Sequence, residues 1–289
     1  MPQSKILTTV VEDIYNKISV LGQGETIEVC DKDLDKFAEF MKQALKDWLT
    51  PRGNKKPSLR MSNIGRPDRQ LWFDMNSARQ SKGIPPQVLI KFLYGHILER
   101  VLLFLTELSG HKVTDEQKEV TVNGIVGHMD CKIDGEVVDI KSASGYAFKK
   151  FKDGTLVEDD PFGYIAQHAG YEHGEGTSNG GLLVINKETG ELTLFIPQEL
   201  DKPDIPVRID KIKKMIKLKT LPDFCYIPVP EGSSGNFKLP RKCHYCIHKF
   251  ECHKDSNDGK GLRVFKYAKG LMHLTTVVRE PKVEEVLNG

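Results

Sequence analysis

The stretch from Gly127 to Lys141, Gly-His-Met-Asp-Cys-Lys-Ile-Asp-Gly-Glu-Val-Val-Asp-Ile-Lys, limits the fold more than any other part of the chain. Asp134-Gly135 at its centre is the strongest two-residue signal for a β-hairpin, because the matching turn needs positive φ at both positions. Counting outward sets Ile133 opposite Glu136, Cys131 opposite Val138 and Asp130 opposite Asp139. Alternation then puts Asp130, Lys132, Asp139 and Lys141 on one face, and Met129, Cys131, Ile133, Val138 and Ile140 on the other. The second face reads as core. The first brings two carboxylates opposite each other, which is unfavourable for a strand pair. Two readings compete: a divalent cation held between the carboxylates, or the solvated polar face of an ordinary hairpin. On the first, Lys141 is placed to stabilise an activated water or the charge developing on a phosphate.

Around this hairpin the chain is long enough for a sizeable core, at 289 residues. Charged residues make up 28% and the formal net charge is +2, the balance of a soluble globular protein in which any nucleic-acid contact must come from a local basic patch. No apolar run reaches the length of a membrane span, and Met1-Pro2-Gln3-Ser4-Lys5 does not open a signal peptide, so a reducing cytoplasm is the expected setting. There, clustered cysteines argue for metal over disulfides.

Helical spacing of Ile6, Leu7, Val10, Val11, Ile14, Ile18 and Leu21 predicts a first helix, stopped at Gly22-Gln23-Gly24. A second follows Asp31 as N-cap, with Leu34, Phe37, Phe40, Met41, Leu45 and Trp48 on its apolar side. Together they predict an N-terminal helical cap over residues 1–57, closed by the basic linker Pro51 to Pro57. Cys30 reads as a packed or surface thiol. From Ser58 to Arg69, Arg66 and Arg69 stand near Ser62, a combination suited to phosphate contact or to a solvated loop. Pro86 to Leu108 is a nearly continuous apolar helical pattern and is expected to be heavily buried. Glu99 within it needs a partner: a metal, or Arg100 on a narrow polar face. Glu116 to Asn123 reads as one strand. Lys149 and Lys150 add basic charge before the turn at Asp153-Gly154. A helix from Phe162 to His173 carries Gln167 and Tyr171 four apart on one face. A second hairpin, Leu182–Asn186 with Leu192–Ile196, and an amphipathic helix from Leu200 to Leu218 follow. The order of elements is that of an α/β sandwich, with a core over 58–220.

Residues 221–289 contain Cys243-x2-Cys246-x5-Cys252, with Cys225 upstream and His244, His248 and His253 interspersed. Such spacing suits a tetrahedral zinc site or a four-iron cluster, with packed thiols as the plainer alternative.

Taken together, Glu99, Asp130, Asp139-Ile140-Lys141 and Gln167-x3-Tyr171 resemble, in order, the motifs of the PD-(D/E)XK nucleases, in particular the RecB-like branch that includes CRISPR-associated exonucleases and the mitochondrial genome maintenance exonuclease. The resemblance covers roughly Ser58 to Cys252. It implies a restriction-endonuclease-like core, a central mixed β-sheet flanked by helices, between the helical cap and a cysteine metal knuckle. It also implies a nuclease that hydrolyses DNA, as an exonuclease on single strands or ends, with Mg²⁺ or Mn²⁺ held by Glu99, Asp130, Asp139 and the Ile140 carbonyl. Lys141 would position the attacking water, and Gln167 and Tyr171 would orient Lys141 or the DNA backbone. Ser62, Arg66, Arg69, Lys149 and Lys150 are the expected DNA contacts. The family often carries histidine where this chain has Glu99, and His96, one after Gly95, is misplaced for that role. Its iron–sulfur members also draw one cysteine from the segment matching Ser58 to Trp72, which here has none. The fourth ligand is then Cys225 or a histidine, and a compact local knuckle fits Zn²⁺ at least as well as a 4Fe-4S cluster. No P-loop is present, so no ATP is expected. The rival readings are a zinc-dependent nucleic-acid-binding scaffold with an inactive core, and a structure- or sequence-specific endonuclease on the same fold.

Overall fold

A computed structural model describes residues 5–50, 57–77 and 84–286. The expected basic linker lies almost wholly outside them. The described residues fall into two compact units, one within Met1–Gly65 and Arg79–Ile212, the other within Arg66–Ala78 and Lys213–Gly289. This division differs from the sequence boundaries at 57 and 220. Of the N-terminal helices only the first shares the core of the sheet, and residues 66–78 fall with the C-terminal segment.

The first unit is built on a five-stranded mixed sheet. Its strands are β1 (Val113–Thr114), β4 (Cys131–Ile133), β5 (Glu136–Ala143), β6 (Gly181–Asn186) and β7 (Leu192–Phe195), in the order β1-β4-β5-β6-β7. Only β5 and β6 run parallel. The predicted register holds: Cys131 pairs Val138 and Ile133 pairs Glu136. Asp134 (φ 52°) and Gly135 (φ 93°) both adopt the left-handed conformation that the tight turn demands. Asp134 is also clamped from outside, its carboxylate 2.6 Å from His111 Nδ1 and accepting the Lys112 amide hydrogen at 3.0 Å.

Val138 and Ile140 point to one face of the sheet and meet Leu183 and Ile185 of β6. Helices α1 (Val10–Ser19) and α4 (Pro86–Leu108) cover that face through Val10, Ile14, Leu102 and Leu103. A fully buried Val or Ile contributes about 1.5–3 kcal/mol, so α1 is held as core. The opposite face carries Asp139, Lys141 and Ala143. There Ala143 packs with Leu182, Val184 and Phe148 under α5 (Gly145–Lys152), with Ile165 of α6 (Tyr164–Glu175) beside them.

Three expectations need correction. Helix α2 (Asp31–Leu49) starts at the expected place, but Asp31 is its first helical residue and Cys30 takes the N-cap position. α2 buries no residue completely and packs along α4, with Phe37 5.1 Å from Phe104 between ring centres and Trp48 Nε1 donating to the Leu89 carbonyl at 2.9 Å. Helix α4 has the predicted bounds, but only its C-terminal half enters the core. Ile90, Phe92 and Tyr94 are exposed, because α2 touches that half along one side only, through Trp48 at Leu89. The stretch read as one strand, Glu116 to Asn123, is instead the first arm of a separate hairpin, β2 (Glu119–Val122) with β3 (Ile125–His128). Its turn is Asn123-Gly124, with φ of 47° and 72°.

In the second unit, α3 (Asp68–Asn76) accompanies a four-stranded antiparallel sheet of order β10-β11-β9-β8. Its strands are β8 (Val229–Pro230), β9 (Phe237–Lys238), β10 (Arg263–Tyr267) and β11 (Gly270–Thr276). The cysteine spacing over 221–289 gives no sign of this sheet. Between β9 and β10 lie short helical turns that carry Cys243, Cys246 and Cys252.

Candidate functional site

The ladder between β4 and β5 stops at Cys131 and Val138, so the Ile140 amide has no strand partner there. Asp130, just before β4, supplies one: its Oδ2 accepts the Ile140 N–H at 2.7 Å. A buried backbone donor is thereby satisfied, and the carboxylate is fixed beside β5. Asp139 follows on β5 and is 1% exposed, and Lys141, two residues on, shares its face. Lys141 Nζ stands 3.0 Å from Asp139 Oδ2 and 3.9 Å from Asp130 Oδ2. Asp139 Oδ2 is thus a buried oxygen whose partner is this ion pair, with no further hydrogen bond.

Glu99, one turn outside the buried half of α4, adds a third carboxylate within electrostatic reach of Asp139 and Lys141. Of the two partners considered from the sequence, Arg100 is the one beside it, and Gln117 is a partner the sequence did not suggest. Glu99 Oε1 lies 3.3 Å from Arg100 and accepts from Gln117 Nε2 at 3.1 Å. On α6, Tyr171 is almost fully buried and hydrogen-bonded to Gln167, as four-residue spacing on a helix allows. It sits so close to β3 that a side chain at Gly127 would strike its hydroxyl and Met61.

The electrostatics follow from crowding three acids around one lysine away from water. Burial pushes the Asp130 carboxyl up to about 8, with the charges of Asp139 and Glu99 adding to the rise and Lys141 opposing it. Burial likewise raises Glu99, against the pull of Arg100 and His96. Burial disfavours the charged form of Lys141, but Asp139 and Asp130 more than offset it and raise its pKa above the usual lysine value. Lys141 therefore acts as a fixed cation and not as a base. Tyr171 is raised by burial and by Asp139, and keeps its proton.

This donor set tests well in kind for a hard divalent cation: acidic oxygens, a buried carboxylate oxygen with no hydrogen bond beyond its ion pair, and a like-charge excess that one lysine does not neutralise. As the side chains stand, no group of three or more His, Cys, Asp or Glu among the described residues converges tightly enough to hold a metal.

The expected DNA contacts separate. Lys149 and Ser62 are exposed. Lys150 is tied to the carboxylate and carbonyl of Asp159. Arg66 pairs with Asp74 at 3.1 Å. Arg69 is not a surface contact at all: it is 9% exposed and donates to Cys252 Sγ at 3.1 Å, to the Cys252 carbonyl at 3.2 Å and to the Pro222 carbonyl at 2.5 Å. Its planar fork serves the cysteine segment, because three acceptors converge on it where the loop folds back.

In that segment Cys225, Cys243, Cys246 and Cys252 all line one small cavity of about 40 Å³. Burial raises the thiols of Cys225 and Cys246 and pushes Cys243 up to about 12, and the neighbouring cysteines add to each rise. The four thiols share the lining of this space, but as the side chains stand they do not converge tightly enough to hold a metal. Cys225, far upstream in sequence, is thus gathered with the other three. His248 faces away from that role, with Nε2 2.8 Å from Asp74 and its ring stacked on Phe73. Cys30 is exposed and apart from the cluster, its thiol donating to Asp33.

Among the described residues no helix is long and apolar enough to cross a membrane. No protein-family model matches the chain, and no curated protein matches it in sequence. Among solved proteins, the crystal structure of SSO0001 superposes with a TM-score of 0.40 at 16% identity, covering 73% of this chain and 93% of that one. A likeness at that level carries no argument about fold or function.

Proposed function

We propose that the protein is a metal-dependent DNA nuclease of the PD-(D/E)XK type, acting as an exonuclease on single strands or free ends. The observation that carries this reading is the placement of Asp139 and Lys141 on one strand with Asp130 held against it, around a carboxylate oxygen that is buried with no hydrogen bond beyond its ion pair. Glu99, Asp130, Asp139 and the Ile140 carbonyl would hold Mg²⁺ or Mn²⁺, which when bound supplies Lewis-acid activation of water and phosphate. Lys141 contributes a permanent positive charge where a phosphodiester gains negative charge during attack. Water adds to phosphorus as the bond to the leaving sugar oxygen breaks. Tyr171, anchored by Gln167, fixes the wall of the site against which Lys141 is oriented.

The four cysteines form, on this reading, a closed structural knuckle that holds zinc, with a 4Fe-4S cluster as the second occupant the donors allow. The test is degradation of end-labelled single-stranded, duplex and circular DNA with Mg²⁺, Mn²⁺ or EDTA. Metal-dependent loss of linear strands with circles spared supports the exonuclease. Cutting of circles points to an endonuclease on the same fold. Binding without cutting under any metal leaves the zinc-dependent scaffold.

A further inference from the structure

Beside the acidic cluster lies a connected run of aromatic rings and ammonium groups, of which only Lys141 enters the chemistry above. Phe162 is 58% exposed and stacks on Tyr164, with ring centres 5.5 Å apart and planes 28° from parallel. Lys141 Nζ lies over the Tyr164 ring, 5.5 Å from its centre. On the neighbouring helix Tyr146 is 61% exposed, and Lys150 Nζ stands 5.3 Å from its ring centre. Lys150 also binds Asp159, which leads into the turn that carries Phe162. The contacts therefore run from the surface at Tyr146, through Lys150 and the 159–163 turn, to Phe162, Tyr164 and Lys141.

A single exposed aromatic calls for no explanation, whereas an exposed stack leading to a half-buried lysine does. The turn is rigid, so the exposure of Phe162 is imposed by the backbone. Asp160 accepts from the Gly163 and Ile165 amides, each at 2.9 Å. Gly163 is left-handed (φ 76°) and its backbone presses on that of Gly65 so closely that a Cβ there would lie 2.2 Å from the Gly65 carbonyl carbon. An apolar ring fixed in water gains only if a flat apolar partner covers it. Lys149 is exposed, and Lys150, though paired with Asp159, keeps its ammonium beside the Tyr146 ring, so the patch admits a partner that carries negative charge. A nucleobase on a phosphate backbone meets both conditions, and stacking on aromatic faces is tolerant of base identity.

We infer that Phe162, Tyr164 and Tyr146 form a stacking shelf for unpaired nucleobases of a single strand, which delivers the adjoining phosphate to Lys141. The inference rests on the nuclease reading for what is cut, but not for what is bound. A base inside a duplex already stacks on its neighbours and cannot cover the shelf, so the shelf selects unpaired strands.

The test is fluorescence anisotropy of the full chain in EDTA, with a labelled twelve-residue oligothymidylate against an abasic deoxyribose-phosphate strand of equal length and charge. Wild type should bind the base-bearing strand roughly tenfold more tightly than the abasic one. Phe162→Leu and Tyr146→Leu keep apolar bulk and remove the rings. Singly, each should lower that ratio, and together they should bring it within twofold, with abasic affinity unchanged. Equal affinity of wild type for the two strands overturns the shelf, as does an unaltered ratio in the double variant. Failure of wild type to bind either strand also overturns it and leaves the rings as a protein-docking patch. Base-dependent binding without cleavage under Mg²⁺ or Mn²⁺ would keep the shelf and remove the nuclease reading. Cleavage without base dependence would do the reverse.

Discussion

Asp130 accepts the Ile140 amide hydrogen at 2.7 Å, so a carboxylate that burial disfavours is also the cap of an unfinished strand ladder. The two roles can be separated, because an asparagine oxygen accepts the same hydrogen bond without the charge.

Asp130→Asn is therefore expected to stabilise the metal-free protein on the order of 1 kcal/mol at neutral to alkaline pH. The folded-state pKa, near 8, lies above the unfolded value, so the native state binds the proton more tightly. This group's contribution is full below about pH 4 and is lost as pH rises through 8. Melting curves in EDTA at pH 5, 7 and 9 should show the variant gaining on wild type as pH rises, while the stabilisation from added Mg²⁺ or Mn²⁺ shrinks. A variant that melts below wild type at pH 9 would mean that the carboxylate is needed for the ladder itself.

Asp139→Asn and Lys141→Met keep side-chain volume but each leaves the other member of a largely buried pair without its opposite charge, so a loss of stability of roughly 3 kcal/mol is expected beside the loss of activity. Each should lower the rate of strand degradation by roughly a thousandfold or more. Single-turnover rates on end-labelled strands, with circular dichroism as the folding control, check this. Wild-type rates in either variant would remove the active-site assignment.

Cys246→Ser should lower the thermal stability and protease resistance of residues 225–253 first, because a bound metal contributes folding free energy there. Elemental analysis of anaerobically purified protein distinguishes the occupants: about one zinc per chain, or iron and sulfide near four each with a brown colour. Background levels of all three would reduce the cluster to packed thiols.

His273 sets an acid limit on the second unit. It is buried near His244 and Phe250, its Nδ1 has no hydrogen bond among the described residues, and burial, with Lys249 and His244, lowers its pKa to about 4. A depressed folded-state value means that stability is fully present above the unfolded pKa, near 6.5, and is lost as pH falls through 4. Hydrogen exchange of amides 263–276 at pH 7 and pH 4.5 should show accelerated opening at the lower pH, and His273→Phe should flatten the difference.

What was legible in the sequence follows from how local its physics is. Asp134-Gly135 determines its own turn, so the register of β4 and β5 and the shared face of Asp139 and Lys141 could be counted out beforehand. Asn123-Gly124 is an equally strong turn signal, but it was absorbed into the end of a presumed strand, and the β2–β3 hairpin was missed with it. β10 and β11 carry no clean alternation, since Val264 and Phe265 are buried side by side, as are His273, Leu274 and Thr275, so no period-two pattern marks them. The roles of Arg69 and Cys225 depend on partners far along the chain, which no local pattern reports. The exposed half of α4 was misjudged because an apolar period records what could be buried and not whether a neighbour exists to bury it.

Arg69 and Cys252 stand 183 residues apart in sequence yet share a hydrogen bond. During synthesis at 5–20 residues per second, Arg69, Leu71 and Phe73 leave the ribosome on the order of ten to forty seconds before the cysteines they are to be buried with. Throughout that interval α3 has no finished unit to join, while the strands of the first unit are already emerging. The thiol cavity can close only after the last third of the chain is free. Any metal it takes is therefore acquired late, by a chain whose sheet has already had time to form, and a chain stalled or truncated before Cys252 would leave Leu71 and Phe73 open to chaperones and proteases.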